Sequence, residues 1–303
     1  FSAVHGPEDD QEVFFQTSIL PLLADLLMGR NLTLFCYGVT GSGKTWTMVG
    51  VASEGEGVTP RLSRSKKGQE EDERKAKEFI KVEMECYEIY NEMVFDLLVQ
   101  GRNGTGLPVR ESGDRKVFVA GLTCKDVGDY REFVSLFGKA NANRSTGSTN
   151  LNACSSRSHM VISLIVTARF EEGGGESVKV CTSRVNLVDL AGSENNKLTG
   201  NNKERLTESS AINKSLFVLG QVVQALNAGA PRIPYRDSKM TMIMRDALGG
   251  GGGSGPSSST SSSRSHGVLI ANLAPGSKFY NDSVATLNFA SRTKTIENRV
   301  GSN

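Results

Sequence analysis

Apolar positions along this chain gather into short β-prone runs separated by polar, glycine-rich text. Leu32-Thr33-Leu34-Phe35-Cys36-Tyr37 is one such run and reads as a buried strand. Val185-Asn186-Leu187-Val188-Asp189 is a second apolar strand, and it ends in an acid; Val268-Leu269-Ile270-Ala271 is a third. Strand runs and helical runs alternate. That order predicts an α/β fold with a central, mostly parallel sheet and helices on both faces. Two stretches break the pattern. Leu62 through Glu78 is almost wholly polar with mixed charge, and reads as a solvated helix or a disordered loop. Gly249 to Ser263 is a Gly/Ser-rich insertion and reads as a flexible loop. No internal repeat is visible.

Composition narrows the class. The chain has 303 residues, 38 % apolar and 22 % charged, which is ordinary for a soluble globule. That length allows one large domain to bury roughly 75 % of its unfolded surface. No stretch approaches the ~18 apolar residues of a membrane span, and no signal peptide is expected. The 5 cysteines are odd in number and form no C-x-x-C pair, which argues against a disulfide framework and for a reducing compartment. A net charge of +2 excludes a general polycation. The basic character is local: from Lys197 to Arg245, lysines and arginines outnumber the acids.

The first apolar strand runs straight into Gly38-Val39-Thr40-Gly41-Ser42-Gly43-Lys44-Thr45, followed by Trp46. This is a complete G-x-x-x-x-G-K-T phosphate loop in the strand-to-loop context the motif needs. Its glycines let the backbone wrap closely and aim N–H groups at phosphates. Lys44 is placed to reach the β- and γ-phosphates, and the Thr45 hydroxyl to ligate Mg²⁺. Asp189, closing the second strand, has the Walker-B position and would hold Mg²⁺ directly or through water. Gly192 can bring a backbone N–H close to a γ-phosphate. Ser155, Ser156 and Ser158 surround Arg157, and hydroxyls suit phosphate and metal-water contacts because they both donate and accept. Arg157 would touch phosphate or pair with a carboxylate, Glu194 being the obvious partner. His159 reads as a structural histidine rather than a proton shuttle.

Taken with their order, the strings Asn152-Ala153-Cys154-Ser155-Ser156-Arg157-Ser158-His159 and Asp189-Leu190-Ala191-Gly192-Ser193-Glu194 closely resemble the switch regions of the kinesin motor domain. Further segments carry the same resemblance: Tyr87-Glu88-Ile89-Tyr90-Asn91-Glu92 with Asp96-Leu97-Leu98, Asn143-Arg144-Ser145-Thr146, Ala211-Ile212-Asn213-Lys214-Ser215-Leu216, Ile233-Pro234-Tyr235-Arg236-Asp237-Ser238-Lys239, and Leu287-Asn288-Phe289-Ala290 with Ile296-Glu297-Asn298. The likeness runs over residues 1–298, leaving 299–303 as the start of a neck linker or tail. Thr199-Gly200-Asn201 and the text from Ser215 to Val223 look most like the chromokinesin (Kid-like) branch.

The resemblance implies a microtubule-stimulated motor ATPase using ATP and Mg²⁺, associated with the cytoskeleton and, by branch, with spindle or chromosome movement. By the family's roles, Gly38 to Trp46 bind nucleotide, and Thr45, Ser156 and Asp189 hold the metal. Ser155 and Ser156 close on the γ-phosphate and position water, Arg157 and Glu194 latch the switches, Gly192 senses the γ-phosphate, and Asn213 couples to the long helix that follows. Lys214, Arg232, Arg236 and Lys239 are the expected contacts to acidic tubulin. Nucleic acid is the rival polyanion. No stacking pattern supports it here, and the DNA-binding tail of the branch is not in this chain. A non-motile microtubule binder with impaired turnover is the alternative to a motor.

The chain also departs from the family pattern. It begins at Phe1-Ser2-Ala3-Val4-His5-Gly6-Pro7, which resembles the segment after the family's first strand, so the resemblance implies an N-terminally truncated motor fold lacking that strand's adenine contact. Val39 and Trp46 replace the usual residues of the phosphate loop region. Met242 stands where an arginine is typical, which implies a loss of ~0.5–1 kcal/mol in filament affinity.

Overall fold

The computed structural model describes residues 1–303 except 24–25, 27–28, 52–54, 57–76, 102–104, 114, 147–155, 173–176, 195–202, 250–264, 295 and 297–303. Helix α1 (Gln11–Phe14) is capped by Asp10, whose carboxylate accepts from the Val13 N–H at 2.8 Å, and it continues into a π turn and a 3-10 turn. Strand β1 (Asn31–Tyr37) leads through the phosphate loop into α2 (Lys44–Val49). A ribbon of β2 (Gly50–Val51) and β3 (Gly55–Glu56) precedes the long β4 (Lys77–Tyr90) and β5 (Met93–Asp96). The small hairpin β6 (Val109–Glu111) and β7 (Val117–Val119) and the short β8 (Lys125–Asp126) lead to α3 (Tyr130–Thr146). Then come β9 (His159–Glu172), β10 (Ser177–Asp189), α4 (Lys203–Asn227), α5 (Lys239–Ile243), β11 (Ser265–Ala271) and α6 (Tyr280–Lys294).

The main sheet has the order β11-β1-β10-β9-β4-β5, with β8 added on β4. The expected α/β class is observed, and parallel pairing is confined to β1 with its neighbours β10 and β11. The pairs β10–β9, β9–β4, β4–β5 and β4–β8 are antiparallel, so the sheet is mixed. The physical reason is connection length. β9 and β10 are consecutive and pair from Ser177–Glu172 to Asp189–Met160, which only a short hairpin connection permits; parallel neighbours need a crossover. β4 and β5 likewise meet across a tight turn, with Asn91 and Glu92 at φ 51° and 58°.

Side chains alternate between the two faces of each strand, so one sheet builds two cores. Leu32, Leu34 and Cys36 join Met84, Cys86, Ile162, Leu164 and Leu187 against Phe15 and Ile19, and against Phe133 and Phe137 of α3. Phe35 and Val188 join Tyr87, Ile89 and Val161 on the other face, against Val218, Leu219 and Val222 of α4 and Met240 of α5. The spacing of Phe133, Phe137 and Ala140 places all three on one stripe of α3. Between the strands runs a short polar ladder. The Ser163 hydroxyl donates to the Asn186 side-chain oxygen at 2.7 Å, and the Asn186 amide donates to the Thr33 hydroxyl at 3.3 Å. It crosses from β9 through β10 to β1 in register, since Asn186 pairs with both Thr33 and Ser163.

The polar stretch expected from 62 to 78 ends earlier than its composition implies. Lys77 and Glu78 already pair with Phe170 and Arg169 of β9. Residues 57–76, the Gly/Ser stretch from 250 to 263 and the terminal residues 299–303 lie outside the described residues. No helix among the described residues is long and apolar enough to cross a membrane.

Candidate functional site

The site hangs from the carboxyl ends of β1 and β10, where open α/β sheets hold their ligands. Cys36 pairs with Asp189, so the register of these parallel strands sets the phosphate loop beside the acid. Gly43, at φ 95°, makes the left-handed step that lets α2 start at Lys44. The loop is held on two sides: the Ser193 N–H donates to the Gly38 carbonyl at 3.1 Å, and the Asn272 N–H donates to the Tyr37 carbonyl at 2.8 Å. Thr40 and Gly41 are exposed, Ser42 is half-buried and Val39 is buried. Trp46 is half-buried, and its carbonyl accepts from the Gln11 side chain at 2.7 Å, tying α1 to α2.

Lys44 is buried, and its Nζ donates to the carbonyls of Gly38 and Val39, each at 2.9 Å. Burial lowers its pKa, opposed by the charges of Asp189 and Glu194. The Thr45 hydroxyl donates to Asp189 Oδ2 at 2.7 Å. Burial raises the pKa of the Asp189 carboxyl, and Arg144, the Thr45 bond and Lys44 act against that rise. The other oxygen, Asp189 Oδ1, is buried with no hydrogen-bond partner, as is the Ser42 hydroxyl. A lone carboxylate oxygen beside a hydroxyl fits a hard divalent cation such as Mg²⁺. Among the described residues no cluster of three or more His, Cys, Asp or Glu could hold a metal. A cation here would therefore be shared with phosphate oxygens and water rather than caged by protein.

Behind Asp189 stands a charge pair that the sequence patterns did not single out. Arg144 of α3 is buried, with Nη1 3.6 Å from Asp189 Oδ2 and Nε 3.7 Å from Glu88 Oε1. Its Nη2 donates to the Ser158 carbonyl at 3.2 Å. Glu88 is fully buried. Arg144 thus supplies the positive charge that a buried carboxylate needs. Arg144 and Glu88 each stand in a family-like string of the sequence, but nothing in either string pairs them.

The structure brings the two switch strings together at Gly192, whose N–H donates to the Ser156 carbonyl at 3.0 Å. A Cβ at Gly192 would overlap the Glu194 carboxylate and the Thr40 hydroxyl, so only glycine fits between them. Glu194 accepts from both the Thr40 N–H, at 2.8 Å, and the Thr40 hydroxyl, at 2.5 Å. The latch that the family likeness implies is Arg157 with Glu194. Here Glu194 is engaged by Thr40, whose N–H and hydroxyl are two donors that match a carboxylate. Ser155 and the side chain of Asn213 lie outside what is described.

His159 is buried and neutral. Its Nδ1 accepts from the Ala191 N–H at 3.0 Å, and its Nε2 lies 2.7 Å from the Ser215 hydroxyl. Burial, then the charges of Arg144 and Lys44, push its pKa down to about 3.

The expected filament contacts lie on α4 and the segment after it. Lys214, Arg232 and Arg236 are exposed, while Lys239 and Met242 are half-buried. Two acids hold this segment in place. Glu111 of β6 pairs with Arg236 at 2.7 Å and with Arg245 at 2.9 Å. Glu92, from the β4–β5 turn, accepts from the Ser238 hydroxyl at 2.8 Å and from the Lys239 N–H at 2.7 Å. Glu92 therefore caps α5, a role that its place in the E-I-Y-N-E string did not suggest.

The family model "Kinesin motor domain" matches residues 1–296. Kinesin-like protein KIF22 of Danio rerio is 43 % identical over 303 residues, covering 99 % of this chain and 45 % of that protein. KIF22 of Mus musculus is 41 % identical over 306 residues, covering 99 % of this chain and 43 % of its own length. Kinesin-like protein KIN-12F of Oryza sativa subsp. japonica is 37 % identical over 304 residues, covering 95 % of this chain and 10 % of that protein. The chain thus spans less than half the length of these curated relatives. A solved structure described as that of a fast kinesin superposes with a TM-score of 0.81 at 35 % identity, covering 97 % of this chain and 79 % of that one. The chromokinesin likeness read from the sequence agrees with the KIF22 relatives.

Proposed function

Because the chain belongs to the kinesin motor family, we propose that it is a microtubule-stimulated ATPase that couples Mg-ATP turnover to binding and movement along microtubules. The observation that carries the reading is the meeting of three sequence-distant strings at one point. Thr45 bonds Asp189 across 144 residues, Thr40 bonds Glu194 across 154, and Gly192 donates to Ser156. A pocket that merely held nucleotide would need the first of these and not the others.

The roles follow from chemistry. Backbone N–H groups from Gly41 to Thr45, with Lys44, bind the phosphates. Thr45 and Asp189 hold Mg²⁺, with Ser156 as a further ligand. A metal held there would supply positive charge against the phosphates. Ser155 and Ser156 position the attacking water, and Gly192 offers its N–H toward the γ-phosphate. Arg157 pairs with Glu194 once Glu194 leaves Thr40, which makes the latch an exchange of partners. Asn213 couples this exchange to α4. Little covalent chemistry is asked of the protein; positioning and electrostatics supply the rate. Lys214, Arg232, Arg236 and Lys239 dock on the acidic filament. The likeness to KIF22 supports a role in spindle or chromosome movement, with residues 1–298 as the motor unit.

The test is ATP turnover by the purified chain with and without microtubules across a salt series. Stimulation that fades as salt rises supports a motor-type ATPase with electrostatic docking. Microtubule binding without turnover would replace this reading with that of a non-motile binder.

A further inference from the structure

The described contacts leave open how an event at Gly192 reaches α4, a helix that touches neither the phosphate loop nor Asp189 in the bonds above. One buried side chain spans the distance. His159, the first residue of β9, accepts the Ala191 N–H through Nδ1 and meets the Ser215 hydroxyl through Nε2. Ala191 directly precedes Gly192, and Ser215 sits midway along α4. His159 also follows Ser158, whose carbonyl holds Arg144 behind Asp189.

The hydrogen-bond pattern fixes the ring. A backbone N–H can only donate, so Nδ1 must carry the lone pair and Nε2 the proton. Nε2–H then donates to Ser215. A protonated ring would set its Nδ1–H against the Ala191 N–H. The imidazole is therefore a rigid two-ended connector rather than a titrating group. Ser215 is buried as well, so water does not readily replace the contact.

We propose that the His159–Ser215 hydrogen bond is the positioning link that carries displacement of the Ala191–Gly192 backbone to α4. Movement of Gly192 toward a phosphate draws on Ala191, Ala191 draws on the His159 ring, and the ring draws on the Ser215 turn. This link lies inside the core, and unlike the Arg157–Glu194 latch it needs no change of partner. It rests on the proposed reading of the site as a nucleotide switch.

The experiment compares the unmodified chain with Ser215→Ala and with Ser215→Thr, which keeps the hydroxyl. Amide hydrogen exchange across α4 is measured with and without a Mg-bound non-hydrolysable ATP analogue. A neutral hydrogen bond of this kind supports a difference of roughly fivefold. In the unmodified chain, nucleotide changes exchange around Ser215 to Val223. In Ser215→Ala that change shrinks about fivefold while nucleotide affinity stays within about twofold, and Ser215→Thr restores it. An undiminished response in Ser215→Ala overturns the link, as does a response lost equally in Ser215→Thr. The microtubule-stimulated rate of the unmodified chain, measured alongside, tests the proposed function separately, because the exchange experiment contains no microtubules.

Discussion

At the carboxyl ends of β1 and β10, Lys44 and Asp189 are buried, and polar groups are partnered by atoms 144 and 154 residues away in the chain. On the face made by α4, α5 and the β6 hairpin, the polar groups are arginines and lysines at the surface, and Glu111 alone pairs with both Arg236 and Arg245. In the first region a single atom decides whether the site exists. In the second, charge is spread over several long side chains in water, and each is worth little alone. Switch-like behaviour is therefore expected of the first region and graded behaviour of the second. Turnover should fail outright at the nucleotide end, whereas docking should weaken by small, salt-dependent steps.

The contrast can be broken most directly at Lys44. Lys44→Ala should lower ATP affinity by about 100-fold, the loss of two or more charge-assisted phosphate bonds. Equilibrium binding of a fluorescent nucleotide checks this, and ordinary affinity in the variant would remove Lys44 from the site. Glu194→Ala should leave ATP binding within about threefold and slow turnover by about 100-fold, since it removes only a group that acts after binding. Steady-state and single-turnover rates separate these effects, and hydrolysis at the unmodified rate would end the latch role.

His159 gives a pH test. Its ordinary pKa is 6.5 and its folded value about 3. Between these values the unfolded chain binds the extra proton, so this contribution to stability is full above about pH 6.5. It is lost as pH falls, by up to about 1.4 kcal/mol per pH unit. Urea unfolding of the chain and of His159→Gln from pH 7 to pH 5 should show a flatter slope for the variant. Equal slopes would mean that His159 is not held neutral. The smallest effect is expected at the other end of the comparison. Arg236→Ala should weaken microtubule binding only about two- to threefold at low salt and not measurably at high salt, because Glu111 already shares its charge. A loss above tenfold in co-sedimentation would make Arg236 a switch-like residue and dissolve the distinction.

What the sequence made legible follows the same division. The phosphate loop could be read because Gly38, Gly41, Gly43, Lys44 and Thr45 fall within one short run after an apolar strand. Asp189 could be read because it closes the next such strand. The pairing of Arg144 with Glu88 could not, since a helix arginine and a strand glutamate 56 residues apart in sequence share no pattern and meet only through the fold. Glu92 and Glu111 were illegible for the same reason. The antiparallel pairs were harder to read, because apolar patterning fades there. β10 begins at Ser177, but its outer half is polar, with Val180 more than half exposed, so only Val185 to Asp189 stood out. The antiparallel hairpin with β9 was hidden in that outer half.

The ladder of Ser163, Asn186 and Thr33 has a consequence for the proposed metal site. Slipping β10 by one residue against β1 would carry Asp189 about 3.3 Å along the strand and turn its carboxylate to the opposite face. Leucines and valines tolerate such sliding, since one apolar neighbour serves nearly as well as the next. Three small polar groups do not, because each must find a partner of matching kind. They act as an index mark for the sheet, so that the distance from Thr45 to Asp189 is set in the middle of the strands and not at the site that uses it.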